Sequence, residues 1–150
     1  MTVDPGIAVT IDGTPATDAA LTRAVVMARE QQAPLTGVFV IDSGWPDFIG
    51  NDWQSARNAR QGFLDYVRAE QQQQAALAEQ QFIRGTNGMP GARFCVRVGD
   101  PAESLRDMMK AGEARVLVVG EQAFRTCGRP SAKKLVRTLL KAVPGPVVVC

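Results

Sequence analysis

Val116-Leu117-Val118-Val119-Gly120 and, further on, Pro144-Gly145-Pro146-Val147-Val148-Val149 bracket the part of the chain that decides its fold. Each is a short, continuous, β-branched apolar run bounded by glycine or proline, which is how a strand buried on both faces reads. Between them lie a loop with Arg125, Cys127, Gly128 and Arg129 and a basic helical stretch, Ser131-Ala132-Lys133-Lys134-Leu135-Val136-Arg137. Strand, loop, helix and strand in that order form one unit of a parallel α/β sheet. In such sheets ligands bind where the loop leaves the strand.

Upstream, the same grammar repeats. Gly6-Ile7-Ala8-Val9-Thr10-Ile11 reads as a buried strand that ends in Asp12-Gly13-Thr14-Pro15. Thr14 is placed to cap a helix with Pro15 at its first position. That helix is expected to run to about Gln32, with Leu21, Val25 and Ala28 on one face and Pro34 as its stop. Leu35 to Ile41 is a second strand, so the two strands are parallel and joined by a right-handed crossover. Residues 42–51 read as a loop carrying Trp45, Pro46 and Phe48, followed by a helical pattern from Asp52 to about Phe82 and a loop from Gly85 to Gly91. The run Gln71-Gln72-Gln73-Gln74 reads as an exposed helical turn, since glutamine is a fair helix former. Arg93 to Val98 alternates apolar and basic residues, as a strand near the sheet edge does. Gly99-Asp100-Pro101-Ala102-Glu103 then starts a helix with a capping box. Its Leu105, Met108 and Met109 face the core, and Gly112 lies just past its end. With Val116–Val119 and Val147–Cys150, the chain makes one five-stranded α/β domain over residues 1–150.

Composition narrows the functions. The chain of 150 residues is 45% hydrophobic and 21% charged, the balance of a globular domain, and no apolar run approaches the roughly 20 residues of a membrane span. Met1-Thr2-Val3-Asp4-Pro5 lacks the basic and apolar regions of a signal peptide. Cys95, Cys127 and Cys150 have neither metal-ligand spacing nor a CxxC pair, so a reducing, cytoplasmic setting is expected. There is no histidine. This removes the usual general base, any Ser-His or Cys-His pair and the commonest transition-metal ligand. Asp42, Asp47 and Asp52 match no calcium loop and read as loop solvation and a helix cap.

Charge is uneven. Residues 1–121 carry 11 basic and 15 acidic side chains, whereas residues 122–150 carry six basic ones (Arg125, Arg129, Lys133, Lys134, Arg137 and Lys141) and no acid. Such a segment meets either solvent or an anionic partner. A nucleic-acid role is not expected, because only Phe124 offers stacking beside the basic helix.

Taken together, the strand ending in Asp12-Gly13-Thr14, the strand ending at Val40-Ile41-Asp42, the Val98–Glu103 segment, Val116–Gly120 and Pro144–Val149 resemble the universal stress protein family across nearly the whole chain. The resemblance implies a Rossmann-like open parallel sheet in the order 3-2-1-4-5 with helices on both faces. The carboxyl ends at Asp12 and Gly120 would then flank one crevice at the topological switch. In ATP-binding members an aspartate at the position of Asp12 and backbone near Val40 hold the nucleoside. The phosphates lie on a Gly-x2-Gly-x9-Gly-Ser/Thr motif whose glycines let backbone N–H groups approach the phosphate oxygens. Only Gly120 matches here; the other positions fall on Ala123, Lys133 and Lys134. The candidate crevice is therefore Asp12, Val40, Val119, Gly120, Ala123, Lys133 and Lys134. Two lysines in the first turn of a helix call for an anion or a carboxylate such as Asp12 or Asp42 beside them.

The resemblance and the altered motif together imply a non-enzymatic, cytoplasmic, dimeric regulatory or interaction module. It would act on an unidentified protein partner, without standard ATP binding, without a metal and without a cofactor. The dimer would form through the last strand, Val147–Cys150, an open sheet edge. Two alternatives stand beside this reading. One is a member that binds ATP, with its phosphates on Lys133 and Lys134 and slow hydrolysis at most. The other is a thiol redox sensor through Cys127, whose arginine neighbours would lower its pKa.

Overall fold

The computed structural model describes residues 5–50, 58–120, 141 and 145–150, with Asp47 and Phe48 described by their backbone alone. Five parallel strands form one sheet: β1 (Ile7–Thr10), β2 (Leu35–Asp42), β3 (Ala92–Gly99), β4 (Val116–Val119) and β5 (Val147–Val149). Their order is β3-β2-β1-β4-β5, the order that the resemblance implied. Register runs Ile7↔Leu35 to Thr10↔Val38 on one side of β1 and Ile7↔Val116 to Val9↔Val118 on the other.

Helices α1 (Asp18–Gln31) and α3 (Ala59–Thr86) cover one face, and α4 (Pro101–Lys110) covers the other. The chain steps outward from β1 to β3 under α1 and α3, then returns to β4 under α4. Right-handed crossovers impose that change of face when the direction of travel reverses. Strand alternation supplies both cores. Ile7, Val9, Leu35, Phe39, Val116 and Val118 pack on Leu21, Ala24, Ala78 and Phe82. Ala8, Val38, Val40, Leu117 and Val119 pack on Leu105, Met108 and Met109.

Helix ends follow local chemistry, with some departures from the expected boundaries. Asp100 caps α4 through a 3.0 Å bond from the Glu103 N–H. Past the other end, Gly112 (φ +74°) donates to Met109 O and Glu113 to Met108 O, a Schellman closure that glycine makes without strain. Thr14 does not cap α1; a 3-10 turn, Pro15–Thr17, intervenes, and the Thr14 hydroxyl is drawn to Asp12 instead. The expected loop at 42–51 contains a short helix, α2 (Trp45–Ile49). Trp45 packs edge-on to Phe63 of α3 at 5.9 Å, while Arg60 donates to Gly50 O and Pro46 O. These tertiary contacts hold five residues that propensity alone would leave open. The expected loop at Gly85 begins later, because α3 continues to Thr86 and closes on a left-handed Asn87. The expected helix starts at Asn51 and Asp52, Cys127 and all of the 131–142 helix except Lys141 lie outside the described residues.

The alternation on β3 is present, but its exposed residues are Arg93, Val96 and Val98, so the wetter positions are not the basic ones alone. Arg97 instead pairs with Glu113 at 2.6 Å, and this bond raises its pKa despite opposing desolvation. At that exposure the pair adds little stability.

Two glycines on the α3 side predict opposite signs on mutation. A Cβ on Gly37 would lie 2.5 Å from the buried Phe82 ring, whereas one on Gly62, inside α3, would meet nothing within 4 Å. Gly37→Ala is expected to cost about 1–3 kcal/mol by overpacking. Gly62→Ala is expected to stabilise by about 0.5–1 kcal/mol through helix propensity and a less mobile unfolded chain. Urea denaturation of the two variants checks both signs.

Candidate functional site

At the carboxyl end of the sheet, β1 stops pairing before its neighbour does. The last link to β2 is the Ile11 N–H on Val38 O at 2.9 Å, yet β2 runs on beside β3 as far as Asp42↔Gly99. Chain beyond the end of β1 therefore lies between β2 and β4 with backbone groups still to be satisfied. This is the topological switch, the position at which ligands bind in such sheets.

Asp12 lies just past the end of β1. Only 6% exposed, it accepts on Oδ1 from the Thr14 N–H (2.8 Å), the Thr14 hydroxyl (2.6 Å) and the Thr17 hydroxyl (3.0 Å). Its other oxygen, Oδ2, is buried with no hydrogen-bond partner among the described residues, as is Thr10 Oγ1 two residues earlier. Thr10 lies on the Ala8 side of β1, the α4 face, where Val40 and Val119 also pack. One carboxylate oxygen is thus saturated while the other is covered by the protein without a hydrogen-bond donor among the described residues. Such an atom costs about 1–3 kcal/mol or more unless a donor reaches it.

Asp42 also departs from the sequence reading. It is not solvated but buried at 2% exposure, and its Oδ1 accepts from the Gly44 N–H at 2.9 Å. The end of the sheet therefore carries two buried acids. Among the described residues no group of three or more His, Cys, Asp or Glu could hold a metal ion.

Sequence reasoning missed the opposite wall. Gln71, Gln74 and Gln81 lie along one stripe of α3, at steps of three and seven, and reach the ends of β1 and β2. Gln71 Oε1 accepts from the Asp42 N–H (2.7 Å) and its Nε2 donates to Asp42 O (3.2 Å). Gln74 Nε2 donates to Asp12 O. Gln81, buried at 6% exposure, accepts from the Gly13 N–H (3.0 Å) and donates to Thr14 O (2.9 Å) and Asp18 Oδ1 (2.5 Å). Gly13 permits this approach: its φ is +81°, and a Cβ there would lie 2.9 Å from Ala78 N. The glutamine run is thus only half exposed; Gln72 and Gln73 face solvent, while Gln71 and Gln74 face the sheet. Their spacing in register with Ala78 and Phe82 is the signal that would have found them.

Of the residues expected at the crevice, Asp12, Val40, Val119 and Gly120 lie buried at the carboxyl ends of three adjacent strands. Ala123, Lys133 and Lys134 lie outside the described residues. Of the three glutamines, Gln81 makes the most bonds to the loop after β1, so Gln81→Leu, which keeps volume but deletes the amide, is expected to cost about 2–3 kcal/mol. Gln80→Leu, at an exposed position, is expected to change stability by less than about 0.5 kcal/mol. Denaturant midpoints at constant m-value separate the two.

Comparison with known proteins agrees with this architecture. A universal stress protein in complex with cAMP superposes with a TM-score of 0.64 at 17% identity, covering 97% of this chain and 95% of that one. Universal stress protein UspA from Lactobacillus plantarum gives 0.63 at 22% identity and 99% coverage of both chains. The universal stress protein from Archaeoglobus fulgidus in complex with dAMP gives 0.58 at 16% identity, covering 99% and 98%. No curated protein matches the sequence. At these identities the structures establish the fold alone. Residues 6–150, however, match the universal stress protein family as a sequence family, and the chain belongs to it.

Proposed function

We propose that this universal stress protein is a non-enzymatic regulatory module that takes an adenine mononucleotide in the crevice at Asp12, not a triphosphate. The bare, buried Asp12 Oδ2 carries this reading. A carboxylate oxygen kept dry, with Thr10 Oγ1 also unpartnered, suits a ligand hydroxyl or amino group as donor. In the proposed site Asp12, Val40, Val119 and Gly120 would hold the nucleoside. The phosphate motif keeps one position of four and gains Lys133 and Lys134. Two ammonium groups suit a single phosphate held by side chains; a triphosphate wrapped by backbone N–H groups needs the glycines that are missing.

Two solved relatives hold cAMP and dAMP, each with one phosphate, which supports the same ligand class here. Without histidine the chain lacks the commonest proton-transfer group, in keeping with binding rather than turnover. The reading includes a cytoplasmic homodimer through Val147–Cys150: β5 is an outer strand of the sheet, paired to β4, and Val149 is exposed. The competing arrangement places a Lys133 or Lys134 ammonium on Asp12 and fills the crevice.

Calorimetric titration with AMP, cAMP and ATP tests the proposal. AMP or cAMP is expected to bind at least as tightly as ATP, and Asp12→Ala to weaken binding by about tenfold or more, as loss of a charge-assisted hydrogen bond does. At a hundredfold excess over Kd the ligand should add about 2.7 kcal/mol of stability. ATP binding tenfold tighter than AMP would contradict the proposal. So would no binding by the unaltered protein together with binding after Lys133→Ala, which is the signature of a lysine-closed crevice.

A further inference from the structure

Asp42, the last residue of β2, turns its backbone N–H and C=O toward the place where β1 would run if it were longer. Val38 O accepts from Ile11 on that side, and strand alternation sends Val40 and Asp42 the same way, while Ser43 bonds Gly99 on the β3 side. Both Asp42 groups are taken by a single carboxamide. Gln71 accepts from the N–H and donates to the C=O, as an added strand residue would. One acceptor beside one donor on a planar group is also what the edge of an adenine ring presents.

From this geometry we propose that Gln71 is an internal plug for the nucleobase position: its amide occupies the base-reading edge at the end of β2, and a bound nucleotide displaces it. The proposal rests on the mononucleotide reading and adds its regulation. The plug is suited to release. Gln71 is only half-buried, its neighbours Gln72 and Gln73 are exposed, and its side chain lies near the middle of a long helix that need not move. Gln81, by contrast, is buried and multiply bonded, so the helix stays anchored while Gln71 swings. Apparent affinity is reduced by the fraction of molecules with the plug out; a plug seated nine-tenths of the time weakens binding about tenfold.

AMP is titrated calorimetrically into the unaltered protein, Gln71→Ala, Gln71→Met and Gln72→Ala. The methionine variant keeps side-chain volume should the alanine variant fold poorly. The expected result is about tenfold tighter AMP binding for both Gln71 variants and no change for Gln72→Ala. In the unaltered protein, NMR of the Gln71 side-chain NH2 should show it leaving its bonded position as AMP saturates. Equal or weaker binding by the Gln71 variants, or an unmoved NH2 signal at saturation, overturns the plug and leaves the mononucleotide reading standing. Absence of AMP binding by the unaltered protein and both Gln71 variants overturns both.

Discussion

Backbone polar groups at the end of a parallel sheet have to find partners, and in this protein that obligation falls where β1 ends four residues short of β2. The Asp42, Asp12, Gly13 and Thr14 backbone groups would otherwise face a crevice with no strand to pair them. Three glutamines of α3 take up that role, bonding Asp42, the Asp12 carbonyl, the Gly13 N–H and the Thr14 carbonyl. Their spacing fixes how α3 lies on the sheet. The close pass of α3 over Gly13 fixes the loop that presents Asp12. The position of the site therefore follows from a hydrogen-bond requirement, with the two apolar cores supplying the bulk of the stability around it.

Within that frame the loop after β1 arranges Asp12 asymmetrically. Thr14 and Thr17 converge on one carboxylate oxygen and leave the other without a partner among the described residues. These bonds fix the orientation of the carboxyl group. Against the buried Asp12 and Asp42, the sequence sets a segment, 122–150, of six basic residues and no acid. Opposite charges of this kind either pair with each other or, in the proposed site, contact the two ends of one bound ligand. A nucleotide, with neutral hydroxyl and amino donors at one end and an anionic phosphate at the other, has the second arrangement.

Much of the fold was legible because its signals are local and strong. Continuous valine-rich runs gave the buried strands, and Asp100-Pro101 and Gly112 gave both ends of α4. Strand order came through family resemblance, since β-branched runs carry no information on which strand lies beside which. The missed parts are those where tertiary contacts decide. Helix α2 depends on Trp45 against Phe63 and on Arg60, partners distant in sequence. Thr14 looked like a helix cap because its rival acceptor, Asp12, bonds it only once the chain turns. The glutamines were hardest to read. An amide is equally at home in water or on a backbone edge, and only the helical register shared with Ala78 and Phe82 distinguishes Gln71 and Gln74 from Gln72 and Gln73.

In the proposed site the unpartnered oxygen of Asp12 is kept for a ligand donor. A crystal structure of the protein grown with millimolar AMP tests it most directly. The expected result is a nucleoside hydroxyl or amino group about 3 Å from Asp12 Oδ2, with the phosphate toward Lys133 and Lys134. An ammonium group of either lysine seated on Asp12, in a crevice without nucleotide, would contradict it.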